Sequence, residues 1–521
     1  MKNFFRKCII FFLCVIVFSS SALPVYAAQD TARPEPITFY FLNAASTKDI
    51  PATCYYSDEY FYHSGAVENA HLRTMSLAMA MAAFQRYHED DDYTDGCRNF
   101  NDLMQKAGFT DLFHNEAFDE IPTENSIGVG IASKKIRIFG VDYTLIAVGL
   151  RGADYGAEWA GNLQVGKEGQ SNGFALAKET VLQLIRDYEK EHGITEHAKI
   201  WISGFSRGGA VANLVGAALN EDPEVYAVTK NDIYCYTCEA AQAEDASDTG
   251  RYPNIHNMVS PVDIVPLIPL AEWGLIRAGS VHNGQDRLYE RDDFLVPAPG
   301  SQEYESGKET MLEHLKEINP ELDYTIDSFR EVSFNPLDKL PGRSQSEFIR
   351  EMVSWVNSAL PDRSRASYAE EYQDAFVTMA RIFPGAGEKE MKKIPAAMKA
   401  ALKDPEFYAC LASLAFNISL RRYLSEEEYE SHLKKVSDLI SDNLIFHMKE
   451  AGLGLTEQDY QDFKEAQYPV IRFLDDALVD DIMNYNGYHL ATLFFNMDQL
   501  MLAHCPDILL AWLEVYDSYY S

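Results

Sequence analysis

Gly204, Phe205, Ser206, Arg207 and Gly208 spell G-x-S-x-G, directly after an apolar run at 199–202 and directly before a helical run at 209–219. A serine hydroxyl is a poor nucleophile unless a tight turn holds it beside a base, and a Cβ at either glycine would clash in such a turn. Strand, glycine-bounded serine and helix in that order therefore predict an activated Ser206 and acyl-transfer chemistry.

Such a serine needs a base, an acid that orients the base, and donors for the oxyanion. Downstream of Ser206, the segment NMVSPVDIVP puts Asp263 in a loop after an apolar strand, with Pro266 and Pro269 stiffening it. Asp263 is the expected acid. Asp232 is the weaker substitute, because it opens a strand instead of following one. Two late histidines qualify as base by order. His504 precedes Cys505, Pro506 and Asp507, which interrupt the apolar run as a loop would, and is preferred. His489 opens an apolar, helix-like run and is the alternative.

These residues need a scaffold that brings distant positions together. Short β-rich runs at 38–42, 136–139, 143–148, 199–202, 232–236 and 257–259 alternate with helical spacing at 72–84, 173–188 and 209–219. That alternation predicts an α/β fold with a mostly parallel sheet. Past residue 284 the strand signal fades, and helical runs at 346–360, 368–382, 389–403 and 426–445 take over, punctuated by Pro361, Pro384, Gly385, Gly387 and Pro405. The expected organisation is a leader at 1–27, a core at 28–283, a helical cap or insertion at 284–480 and a returning core segment at 481–521 that carries the histidine.

The leader is read from Lys2, Arg6 and Lys7, an apolar run from Cys8 to Phe18, and small residues at Val25 and Ala27. Cleavage after Ala27 and secretion are expected, the alternative being an uncleaved N-terminal anchor. Across the chain, 79 Asp and Glu face 45 Lys and Arg, a net charge of −34. That charge repels phosphate backbones and anionic lipid surfaces, so nucleic acid is excluded as an expected partner and a membrane enters only through a lipid substrate. Of eight cysteines, two fall in the leader. Cys235 and Cys238 form a CxxC with no second pair at metal spacing, and read as strand residues. The acidic run Glu89, Asp90, Asp91, Asp92 and Asp95 lacks spaced calcium ligands and reads as a solvated turn.

GFSRGGAVANLVGAAL and NMVSPVDIVPLIP resemble the nucleophile elbow and acid loop of the class 3, fungal-type lipases of the α/β-hydrolase fold. Leu150, Arg151, Gly152 and Ala153 resemble that family's oxyanion loop, Trp159 falls at the family's tryptophan, and His504, Pro506, Asp507 and Leu509 look like its ending. The resemblance implies that the amides of Ala153 and Arg207 are the oxyanion donors, with Ala153 standing where the family has threonine or serine. It covers about 38–283 and the segment from about 480. The chain resembles still more the secreted lipase-like proteins of Firmicutes.

The expected activity is ester hydrolysis through an acyl-enzyme on Ser206, on a glyceride or a small ester, with no metal or organic cofactor. Arg151 is expected to pair with an acid beside the elbow, the alternative being that it faces the substrate, and Arg207 to lend its amide and not its charge. Acyl transfer or thioester cleavage on the same triad, and an inactive binding protein, are the alternatives.

Overall fold

The computed structural model describes residues 34–41, 50–118, 123–246, 252–279, 345–382, 393–485, 488–489 and 504–513, apart from short breaks within these spans. The expected leader, the acidic residues at 89–92 and most of the expected helix at 389–403 lie outside the described residues. Met1–Glu35 and Pro36–Ser521 are two units, and the second holds the central sheet and its helices.

The centre of that second unit is a six-stranded sheet of β1 (Asp111–His114), β2 (Val129–Ile138), β3 (Val141–Leu150), β4 (Ala198–Phe205), β5 (Ile233–Cys238) and β6 (Ile255–Met258). The strand order follows the sequence from one edge to the other. β3, β4, β5 and β6 run parallel, whereas β1 and β2 are antiparallel to their neighbours. The expected separate strands at 136–139 and 143–148 are the arms of one long hairpin. Phe139 and Gly140 form its two-residue turn with φ of 49° and 89°, the twist that matches a hairpin.

Alternation along the inner strands separates two cores. Leu145, Ala147, Trp201, Tyr234 and Tyr236 pack on one face with α1 (Ala70–Ala82). The next two helices are α2 (Gly96–Lys106) and α3 (Gly156–Asn162). Ile146, Val148, Ile200, Ile202, Ile233 and Cys235 pack on the other face with α4 (Asn172–Glu191) and α5 (Arg207–Glu221). Every residue of β4 is buried, which is why its sequence reads as a continuous apolar run and not as an alternation. Lys199 is the charged exception, held by Asp232 at 2.5 Å and by the Tyr234 hydroxyl at 3.2 Å. Helices on both faces of a mixed, mostly parallel sheet make an α/β-hydrolase fold.

The helical part contains α6 (Gln345–Ala359), α7 (Gln373–Ile382), α8 (Pro405–Leu420), α9 (Glu426–Glu450) and α10 (Glu457–Tyr485). Ser425 and Glu428 close a capping box on α9, whose first turn is acidic and whose last holds His447 and Lys449, as its dipole favours. The run expected as one helix at 368–382 starts with a π-turn at Tyr368–Tyr372. α10 runs across residue 480, so the segment that continues to His489 leaves the helical part without a loop at that point.

The helical part meets the sheet domain through Arg365. Its guanidinium donates to the carbonyls of Val165, Gly166, Glu168 and Gln170, all on the loop between α3 and α4. Around it, Met352, Trp355, Tyr368, Tyr372 and Phe473 bury against Val165, Leu267 and Leu275. Leu509, Leu510 and Leu513, close to the end of the sequence, pack in the same core as Trp201.

Candidate active site

The turn that carries Ser206 is set by sterics. At Gly204 an added Cβ would lie 2.2 Å from the Gly208 carbonyl oxygen, and at Gly208 one would lie 2.5 Å from the Leu150 oxygen. Neither backbone can withdraw, so only glycine fits. Between them Ser206 takes φ 55° and ψ −117°, a conformation that costs a serine about 1–3 kcal/mol. The turn is held by the Ser206 amide, which donates to the Cys238 carbonyl at 2.8 Å, and by the Ala210 amide, which donates to the Ser206 carbonyl at 2.9 Å. Ser206 thus stands between the end of β4 and the start of α5, at the carboxyl end of the parallel strands, where open α/β sheets bind ligands.

Arg207 opens α5, so its amide is one of the four at a helix start that have no intrahelical acceptor. Its side chain turns away from that role. The guanidinium is buried and donates to Asn162 Oδ1 and to the carbonyls of Glu124, Ser126 and Gly173, and burial pushes its pKa down to about 10. Ala153, half-buried, follows Gly152 in the loop after β3. In that loop Arg151 is fully buried, paired with Glu158 of α3 at 3.0 Å, and donates to the carbonyls of Ala117 and Phe118. Arg151 therefore faces an acid, not a substrate. Trp159, on α3 next to Glu158, is exposed.

Asp263 follows β6 on an irregular stretch, with its side chain wholly buried. Its Oδ1 accepts the Val265 amide at 2.9 Å, and its Oδ2 lies 2.6 Å from His504 Nδ1. His504 sits in a turn just before a helical segment, and its ring lies 5.0 Å from that of Phe205, the residue before the serine. Its Nε2 is buried and meets no hydrogen-bond partner among the described residues. With Nδ1 on a carboxylate, Nε2 is left as the ring's other polar atom, the arrangement of a base awaiting a proton.

His489 is elsewhere. Its Nδ1 lies 2.8 Å from Asp481 Oδ1, and its backbone amide donates to the same oxygen at 3.0 Å. Asp232 is bound to Lys199 and to the Thr229 hydroxyl, so neither residue joins His504. Cys235 and Cys238 are buried, unbridged strand residues.

One acid at the site belongs to no sequence motif. Glu239, the residue after β5, is fully buried with φ 48°, and both of its carboxyl oxygens accept the Ser260 amide, at 2.9 and 3.1 Å. Its carboxyl also makes a hydrogen-bond contact with that of Asp263, and burial followed by the neighbouring Asp263 pushes its pKa well above the usual carboxylate range. Its place at the carboxyl end of a parallel strand is the sequence signal that could have found it.

The fold is that of the α/β-hydrolases, with the serine turn between β4 and α5. Residues 150–273 match the family model described as Lipase (class 3), a stretch well short of half the chain. Among solved structures the chain is similar to a lipase from Rhizopus microsporus var. chinensis, at 15% identity and a TM-score of 0.27, covering 40% of this chain and 72% of that one. It is similar to the Rhizomucor miehei lipase propeptide complex at 16% identity and a TM-score of 0.28, covering 47% and 83%. No curated protein matches the chain.

Proposed function

We propose that the protein is a secreted serine hydrolase of carboxylic esters, with Ser206 as nucleophile, His504 as base and Asp263 as the acid that orients it. The observation that carries this reading is the 2.6 Å contact between His504 Nδ1 and Asp263 Oδ2 beside the strained serine turn. In the proposed reaction the Ser206 hydroxyl oxygen attacks the ester carbonyl carbon while His504 Nε2 takes its proton. The amides of Ala153 and Arg207 receive the oxyanion, and backbone donors suffice for that, so alanine at 153 is no obstacle. Collapse expels the alcohol, which takes the proton from His504, and a water activated by the same imidazole then clears the acyl group from Ser206.

Secretion is supported by the N-terminal pattern of positive charge, apolar run and small residues. Among the described residues no helix is long and apolar enough to cross a membrane. The net charge of −34 favours neutral glycerides or small neutral esters over anionic lipids.

The test is hydrolysis of short- and long-chain p-nitrophenyl esters by the purified chain, beside Ser206→Ala, with fluorophosphonate labelling of both. Turnover and labelling that vanish together in Ser206→Ala are the expected result. A wild-type protein that neither turns over an ester nor takes the label would refute the reading.

A further inference from the structure

Asp263 is in contact with a second buried acid, and two carboxylates cannot both stay charged in a site closed to water. The donors around them decide which one keeps the proton. Among the described residues Asp263 is met by two donors, the His504 imidazole at 2.6 Å and the Val265 amide at 2.9 Å. Among the same residues Glu239 is met by one, the Ser260 amide forked across both of its oxygens. Arg277 is the cation that bears on Glu239, but its guanidinium is committed to the carbonyls of Ala240 and Pro266, and its pull does not offset the burial. The proton therefore stays on Glu239.

We infer that Glu239 donates a carboxylic-acid hydrogen bond to Asp263 and is a positioning residue for His504, the fourth member of a line that runs Ser206, His504, Asp263, Glu239. The inference rests on the triad reading above. Glu239 occupies a left-handed backbone position at φ 48°, which a glutamate adopts only at a cost, and no surface or capping role accounts for a wholly buried acid there. A neutral acid suits the position because it fixes the rotation of the Asp263 carboxylate without adding a second negative charge. A charged Glu239 would overstabilise the protonated imidazole and hold back the base.

Glu239→Gln and Glu239→Leu separate this role from mere packing. An amide keeps a neutral donor for Asp263 and an acceptor for the Ser260 amide, whereas leucine supplies neither. Glu239→Gln should stay within about threefold of wild-type kcat/KM on p-nitrophenyl esters, with the acid limb of the pH profile unmoved. Glu239→Leu should lose about 10- to 100-fold and move the acid limb toward higher pH, because Asp263 without its donor binds the imidazolium more strongly.

The acid limb moving down by about half a unit or more in Glu239→Gln would overturn the inference, since that is the mark of a removed negative charge. A folded Glu239→Leu with the wild-type rate and profile would overturn it equally. Should the leucine variant fail to fold, the glutamine variant decides alone. The His504 imidazole titration, followed by carbon-13 NMR and identified by the signal lost in His504→Gln, reads the same shift without turnover. A wild-type protein inactive on esters would thus defeat the hydrolase reading while the Glu239 to Asp263 link is still decided by that titration, unmoved or lowered in Glu239→Gln.

Discussion

The imidazole of His489 lies flat on the indole of Trp355, with ring centroids 4.4 Å apart and planes within 5° of parallel. Trp355 in turn donates its Nε1–H to Asp480 at 2.9 Å, and His489 is pinned to Asp481 through both its ring and its amide. This histidine is built into the packing between α6 and the end of α10. In a folded His489→Ala protein we expect ester turnover within about threefold of wild type and a lowered Tm, from the lost stack and the lost imidazole contact to Asp481. His504→Ala should lose about 10³- to 10⁴-fold in kcat while keeping its Tm within a few degrees. Parallel kinetics and thermal unfolding of the two variants check both halves; the reverse pattern would make His489 the base.

Arg151 and Glu158 form a fully buried pair beside the oxyanion loop. Removing one partner takes the ion-pair contact from a charge that stays buried, which costs up to about 3–5 kcal/mol, whereas removing both together costs much less. Arg151→Met should therefore destabilise strongly in urea titrations. The double variant Arg151→Met with Glu158→Gln should recover a substantial part of that loss, and additivity of the two single changes would show that the pair is not coupled.

Ser206, Asp263 and the core strands were legible because each is a local signal: glycines that only a tight turn requires, a proline-stiffened loop after a strand, and an unbroken apolar run where a strand is buried on both faces. The long hairpin of β2 and β3 was only half legible, since Phe139 is an uncommon residue at a positive φ and hides the turn. The loop residues after His504 favour it over His489, but they do not show which imidazole meets Asp263. The contact that separates them joins positions 241 residues apart in sequence, and pairings of that range leave no periodicity. Glu239 escaped for a related reason, because an acid after a strand reads as exposed until its neighbours from β6 and the Asp263 loop are in place.

Glu189, on α4, is buried and has no ion-pair partner among the described residues, and burial alone raises its pKa from 4.5 to about 8. One of its carboxyl oxygens is buried and meets no hydrogen-bond partner among the described residues. Because the folded value lies above the unfolded one, the folded state binds the extra proton, so stability falls as pH rises from about 4.5 to about 8 and is level beyond. Glu189→Gln removes that dependence. Its Tm should match wild type near pH 4.5 and exceed it by several degrees above pH 8, and a Tm difference that does not grow with pH would show that the acid is not buried in this way.

Arg365 binds the helical part to the sheet domain through four carbonyls of one loop, a job that needs a planar cation with several donors spread in a fork. A lysine there has three donors on a single point and can meet only part of the set. The Tyr368 hydroxyl, which donates to Leu163 at 3.0 Å, the Gly166 amide, which donates to Gln373, and the ion pairs of Lys167 with Glu370 and of Arg381 with Glu124 are further ties. Arg365→Ala should raise amide hydrogen exchange at 163–170 and 364–382, and Arg365→Lys should do so nearly as much, because four stranded carbonyls open locally before the sheet does. Exchange in β4 should be unchanged in both variants. Protection lost in β4 as well would mean that the helical part is not a separately opening unit but stabilises the sheet itself.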